Sequence, residues 1–138
     1  MIEVQVIDNS NRILLQGTDN RLNINISDDE MQALSITAKK QPAIVLLHYD
    51  IQNDKTGKYI RQLLKQSRNS KIIVLAENIS EDEILNCFLA GARRFMSIIE
   101  INQFAHKAIS VVFRGEAWIK RHMVLGLIEN LHRDYLYA

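Results

Sequence analysis

The chain predicts a three-layer α/β sandwich built on a mainly parallel five-stranded sheet, and three observations carry that reading. Two runs, Pro42-Ala43-Ile44-Val45-Leu46-Leu47 and Lys71-Ile72-Ile73-Val74-Leu75, lack the polar interruptions of a half-exposed strand, so both read as central strands covered on two faces. Ser27-Asp28-Asp29-Glu30 and Ser80-Glu81-Asp82-Glu83 have the spacing of capping boxes, in which a Ser and a Glu side chain satisfy each other's free backbone donors at a helix start. Strand-like and helix-like segments also alternate along the chain, and right-handed crossovers then place helices on both faces of the sheet.

The first strand is Ile2 to Ile7, a β-branched run ended by the turn formers Asp8-Asn9-Ser10-Asn11. Arg12 to Gly17 reads either as a stubby helical turn or as the return strand of a hairpin, and the hairpin is preferred. Leu22-Asn23-Ile24-Asn25-Ile26-Ser27 alternates with period two, the pattern of a strand with one wet face near a sheet edge. A helix capped at Ser27 follows, with Met31, Leu34 and Ala38 as its inner stripe. After the buried strand at Pro42, Tyr59, Ile60, Leu63 and Leu64 mark a second helix, closed by Ser67-Arg68-Asn69-Ser70. The helix capped at Ser80 turns Ile84, Leu85, Phe88 and Leu89 inward and stops at Gly91. Arg94 to Ile98 is a last short strand, and Asn102 is placed to cap a helix carrying Phe104, Ala105, Ala108, Ile109 and Val112. A final amphipathic segment, residues 116–138, carries Trp118, Val124, Leu127 and Leu131, and is expected to be a helix or linker following a domain of residues 1–115.

Length and composition narrow the function classes. A chain of 138 residues suits one core, and 47% hydrophobic with 24% charged residues is ordinary for a globular protein. A net charge of +1 gives no overall field for nucleic acid or an anionic membrane. Arg114, Lys120, Arg121, His122 and Arg133 make the tail locally basic, but without a helix-turn-helix pattern this is read as a solvated face that does not itself bind nucleic acid. The lone Cys87 sits in an apolar helix and reads as a packed thiol in a reducing compartment. With no signal peptide or spanning run, a cytoplasmic location is expected. Lys55-Thr56-Gly57-Lys58 lacks the first Gly and the final hydroxyl of a phosphate-binding loop, so that reading is dropped.

Polar groups gather at the carboxyl end of the strand from Pro42, as His48, Asp50 and Asn53, where an open α/β sheet places its ligands. In order and spacing, Pro42 to Leu47, Ile72 to Leu75, Gly91-Ala92-Arg93-Arg94-Phe95 and Phe113-Arg114-Gly115-Glu116-Ala117-Trp118-Ile119 together resemble the receiver (CheY-like, flavodoxin-like) domain of two-component response regulators. The last stretch is similar to the receiver end in the LuxR/NarL-type branch. The resemblance covers residues 42 to 120 well and the first forty poorly. It implies a domain in signal transduction and transcription regulation rather than an enzyme.

An active receiver takes a phosphoryl group onto an aspartate at the end of its third strand, with Mg²⁺, a hydroxyl and a lysine around the phosphoryl oxygens. The resemblance puts His48 at the acceptor position and Asp50 two residues beyond it. The acidic pair falls on Asp8 and Asn9, the hydroxyl on Ala76, the switch aromatic on Phe95 and the lysine on Ile98. These departures imply a degenerate, phosphorylation-independent receiver that binds no cofactor and acts through protein contacts. The expected partners are a second copy of the chain, docked through the bared sheet face or the Trp118 to Leu131 segment, and either a helix-turn-helix output domain beyond residue 138 or a separate regulatory protein. Two alternatives stay open: a conventional receiver phosphorylated at Asp50 with Mg²⁺, and a small α/β enzyme using His48 and Asp8.

Overall fold

The structure, a computed structural model, describes residues 1–15 and 21–115. Its elements are β1 (Ile2–Ile7), β2 (Leu22–Ser27), α1 (Glu30–Lys40), β3 (Ile44–His48), α2 (Thr56–Gln66), β4 (Lys71–Leu75), α3 (Glu81–Ala90), β5 (Arg94–Met96) and α4 (Ile98–Phe113), with two short 3₁₀ turns, Tyr49–Ile51 and Asn53–Lys55, between β3 and α2. The strands form one sheet in the order β2-β1-β3-β4-β5, and every pairing is parallel. β1 and β3 are adjacent although β2 and α1 intervene in sequence, so the winding direction reverses between them and opens a crevice above their carboxyl ends.

Side chains alternate across the sheet and feed two cores. Val4 and Val6 of β1, Ile44 and Leu46 of β3, and Ile73 and Leu75 of β4 pack with Ile101, Ala105, Ala108, Ile109 and Val112 of α4. Ile7, Val45, Leu47, Ile72 and Val74 point the other way, onto Ala33 of α1, Tyr59, Ile60 and Leu63 of α2, and Cys87 and Ala90 of α3. Each fully covered Ile, Leu or Val contributes about 1.5–3 kcal/mol, so the central strands anchor both layers. Tyr59 adds a polar tie, its hydroxyl donating to the Glu30 carbonyl at 2.7 Å and fixing α2 against the start of α1.

Of the hairpin strand expected at Arg12 to Gly17, the described part, Arg12 to Leu15, is not a strand. Both hydrogen-bonding edges of β1 are taken, one by β2 and the other by β3, leaving no edge for a return strand. Residues 9–15 instead run as an irregular strap, neither helix nor strand. The strap buries Ile13 and Leu15 in the α4-side core. Its backbone is held by one side chain of α4: Asn102 Oδ1 accepts from Leu14 N at 2.8 Å and Leu15 N at 3.2 Å, while Asn102 Nδ2 donates to the Arg12 carbonyl at 2.9 Å. Ile13 and Leu15 of the strap thus cover part of the sheet face that the hairpin reading left without a helix.

Helix boundaries differ from expectation in the same physical sense, with side chains claimed by distant partners. Ser27 ends β2 and accepts from Gln5 Nε2 at 2.6 Å, so Asp29 caps α1 instead, accepting from Gln32 N at 2.8 Å. The inner face of α1 is Ala33, Leu34 and Thr37, while Met31 is 70% exposed. In α3 Cys87 and Ala90 are buried and Leu89 faces solvent, and Ser80 caps the helix as expected. β5 stops at Met96 because Ser97 and Glu100 form a capping box that starts α4. Asn102 lies inside that helix, which kinks at Phe104, a residue the sequence turns inward and the structure leaves 55% exposed. Trp118, Val124, Leu127 and Leu131 lie outside the described residues.

Candidate functional site

Parallel register builds the site. Val6 pairs with Leu46 and Ile7 with Leu47, so the next residues on the same face beyond each pair, Asp8 and His48, meet at the carboxyl edge. His48 Nδ1 lies 2.7 Å from Asp8 Oδ1, and both side chains are buried. The same Asp8 oxygen accepts from Ser10 N at 3.0 Å and from the Ser10 hydroxyl at 2.7 Å, which locks the start of the strap to the site. Burial pushes the Asp8 carboxyl up, but the Ser10 hydroxyl and amide together with His48 outweigh it and hold the group below its ordinary value. An ionised Asp8 accepts, so the imidazole donates from Nδ1.

Asp50 sits on the other side of the ring. Its Oδ2 is 3.5 Å from His48 Nε2, and its side chain is 63% exposed at the mouth of the crevice. The sheet thus brings together Asp8, His48 and Asp50, with the imidazole between one buried and one solvent-facing carboxylate. Asn9 is exposed. Ala76 follows β4, 1% exposed, its amide donating to the Met96 carbonyl at 3.0 Å. Phe95 is partly buried against the α3 side of the core, and Ile98 is buried in the first turn of α4. Neither Ala76 nor Ile98 carries a polar side chain to offer an anion.

These residues do not fit a divalent cation. Magnesium needs near-octahedral oxygen donors. Here Asp8 Oδ1 is engaged by Ser10 N, the Ser10 hydroxyl and His48 Nδ1, the neighbouring Asn9 is an exposed amide, and the side chain beside Asp8 on β3 is an imidazole. Among the described residues no group of three or more His, Cys, Asp and Glu side chains is arranged to hold a metal ion.

Other cavities lie apart from His48 and Asp8. One of about 70 Å³ is lined by Tyr49, Asn53, Asp54, Gly57, Glu83, Asn86 and Cys87. There the Tyr49 hydroxyl donates to Glu83 Oε2 at 2.6 Å, and burial with that carboxylate raises the phenol well above its ordinary range. A groove of about 200 Å³ runs between β5 and α4 past Arg94, Met96, Phe104 and Lys107. Two residues that hold the site were not singled out by sequence reasoning: Ser10, read only as a turn former, and Asn102, read as a helix cap. A serine two residues after a strand-end aspartate is a recognisable turn signal, whereas nothing local joins Asn102 to residues nearly ninety positions away.

Among the described residues no helix is long and apolar enough to cross a membrane. The chain matches no protein-family model and no curated protein. Its similarity to solved structures is extensive. A LuxR-family two-component response regulator from Aurantimonas sp. SI85-9A1 superposes with a TM-score of 0.73 at 14% identity, covering 94% of this chain and 97% of that one. A LuxR-family DNA-binding response regulator from Silicibacter pomeroyi gives 0.70 at 17% identity, covering 88% and 99%. The RcsB response regulator of Salmonella typhimurium gives 0.75 at 13% identity, covering 92% and 69%. With its five parallel strands in the order 2-1-3-4-5, the chain has the CheY-like receiver-domain fold of two-component response regulators, LuxR-family members among them.

Proposed function

We propose that this chain is a signalling module of the receiver type that works without phosphorylation, through protein contacts that control transcriptional output. The observation that carries the reading is the imidazole of His48 at the end of β3, where the receiver resemblance puts the acceptor, buried and bound through Nδ1 to Asp8. Phosphoryl transfer to a receiver needs a carboxylate nucleophile and a cation that neutralises the phosphoryl oxygens. Asp8 Oδ1 is engaged by His48 and Ser10, and Ala76 and Ile98 supply neither a hydroxyl nor a positive charge. In this reading residues 1–115 are the receiver unit, the chain pairs with a second copy, and residues 116–138 connect it to a helix-turn-helix domain or a separate partner. Similarity to LuxR-family regulators supports the transcriptional output.

The test is incubation with acetyl phosphate, or beryllium fluoride, in the presence of Mg²⁺, read by intact mass and amide chemical shifts. The expected outcome is an unchanged mass and unchanged spectrum. A phosphoryl group on Asp50, which faces solvent at the mouth of the crevice, would establish the conventional receiver instead. The enzyme reading uses the same Asp8–His48 pair as a general base, but an imidazole 2% exposed gives a substrate little access.

A further inference from the structure

The ring nitrogen of His48 that Asp8 does not engage, Nε2, faces the solvent-exposed Asp50 carboxylate at 3.5 Å. We propose that the Asp8–His48–Asp50 array is a proton-operated latch, in which charging of His48 draws Asp50 over the crevice and tightens the strap. The inference rests on the phosphorylation-independent reading, and it names the input that would replace the phosphoryl group.

The geometry supplies both positions of the latch. With Nδ1–H given to Asp8, a neutral imidazole turns a lone pair from Nε2 towards the Asp50 carboxylate, two acceptors facing each other at 3.5 Å. That arrangement favours release of Asp50 into solvent, where most of its side chain already lies. A proton on Nε2 reverses the sign: the imidazolium then sits between two carboxylates and makes a charge-assisted contact with each. Asp50 belongs to the short turn Tyr49–Ile51 that directly follows β3, so its position sets the rim of the crevice.

Other charges around the ring do not compete. On β4, His48 is in register with Leu75, and Ala76 follows. The strap and the segment after β4 contribute Arg12 and Glu77, which pair with each other at 3.3 Å. Asp28 and Asp29 before α1 and Asp54 before α2 are exposed. Among the described residues the side chains in polar contact with the imidazole are Asp8 and Asp50 alone.

A continuous set of hydrogen bonds leads from the latch to α4. Asp8 holds Ser10, the Ser10 hydroxyl accepts from Arg12 N at 3.2 Å, and the Arg12 carbonyl accepts from Asn102, two residues before the kink at Phe104. A contact strengthened at Asp8 is therefore passed along bonded groups to the helix that leads into residues 116–138.

The experiment is an NMR titration of the isotopically labelled full chain over about pH 5 to 8, the range in which imidazoles change charge, with no divalent cation and no phosphodonor present. The amides of Asp50, Ile51 and Ser10 should shift with the midpoint of the His48 ring, and His48→Gln should abolish those shifts. Asp50→Asn should remove the response of the turn while leaving that of Ser10. The latch is refuted by a His48 ring whose charge stays constant over this range, by a ring that titrates while the Asp50 and Ser10 amides stay still, or by Asp50→Asn with the turn response intact. If His48→Gln does not fold, the exposed Asp50→Asn substitution decides. Omitting the phosphodonor keeps this result separate from the mass test above, so either reading can fail alone.

Discussion

Replacing Asn102 by Ala isolates what the strap contributes. The substitution deletes the acceptor for Leu14 N and Leu15 N and the donor to the Arg12 carbonyl. A net hydrogen bond contributes about 0.5–1.5 kcal/mol. Two of these share one oxygen and all three lie near the surface, so the sum is about 2 kcal/mol rather than the upper limit. The strap carries its own strain: Leu15 has φ +51 and Asn11 φ +60, in the left-handed region that side chains avoid, at a cost of about 1 kcal/mol or more each. Asn102 therefore adds to the burial of Ile13 and Leu15 in holding the strap against this strain. Urea unfolding followed by circular dichroism should show a loss of about 2 kcal/mol, and amide exchange at Leu14 and Leu15 should accelerate roughly thirtyfold, since 1.4 kcal/mol is tenfold. Asn102→Asp keeps an acceptor and loses the donor, so it should fall between. An Asn102→Ala protein with the parental urea midpoint and parental exchange at Leu14 and Leu15 would refute the assignment.

Three further outcomes follow from particular contacts. Because Asp8 is held below its ordinary carboxyl value, its stabilising effect is present above about pH 4 and is lost as the pH falls through the lower folded-state value; Asp8→Asn should flatten that part of the acid unfolding curve, measured by stability against pH. Burial first, then the Glu83 carboxylate, pushes the Cys87 thiol up to about 11, so alkylation by iodoacetamide at pH 8 should proceed only through unfolding and its rate should rise with urea in step with the unfolded fraction. Gly91 ends α3 with φ +122, and a Cβ there would strike Leu64 Cδ1; Gly91→Ala should cost about 1–3 kcal/mol by the same denaturation assay, and a neutral effect would show that the turn relaxes freely.

Much of the site was legible in the residues. Once two parallel strands pair in register, Asp8 two positions after Val6 and His48 two positions after Leu46 have to meet, and the receiver resemblance marked both places. What no pattern revealed is how that place is closed. Ser10 reads as a turn former, yet its hydroxyl and amide fix Asp8. Asn102 reads as a helix cap, but Ser97 and Glu100 cap α4 one turn earlier and free the amide for the strap. The hairpin preferred for Arg12 to Gly17 failed because its local pattern carries no information about which edges of β1 are already occupied.

The residues by themselves determined the layers and the buried central strands. Unbroken apolar runs at Ile44 and Ile72 cannot be satisfied except between two covering layers, and Ser80 and Gly91 delimit α3 by local hydrogen bonding alone. The tertiary structure decided the strand order, the path of residues 9–15 and the surroundings of His48. Those depend on contacts between segments some forty to ninety residues apart, and such contacts form only when packing of the whole sheet fixes which backbone edges and buried polar groups remain to be satisfied.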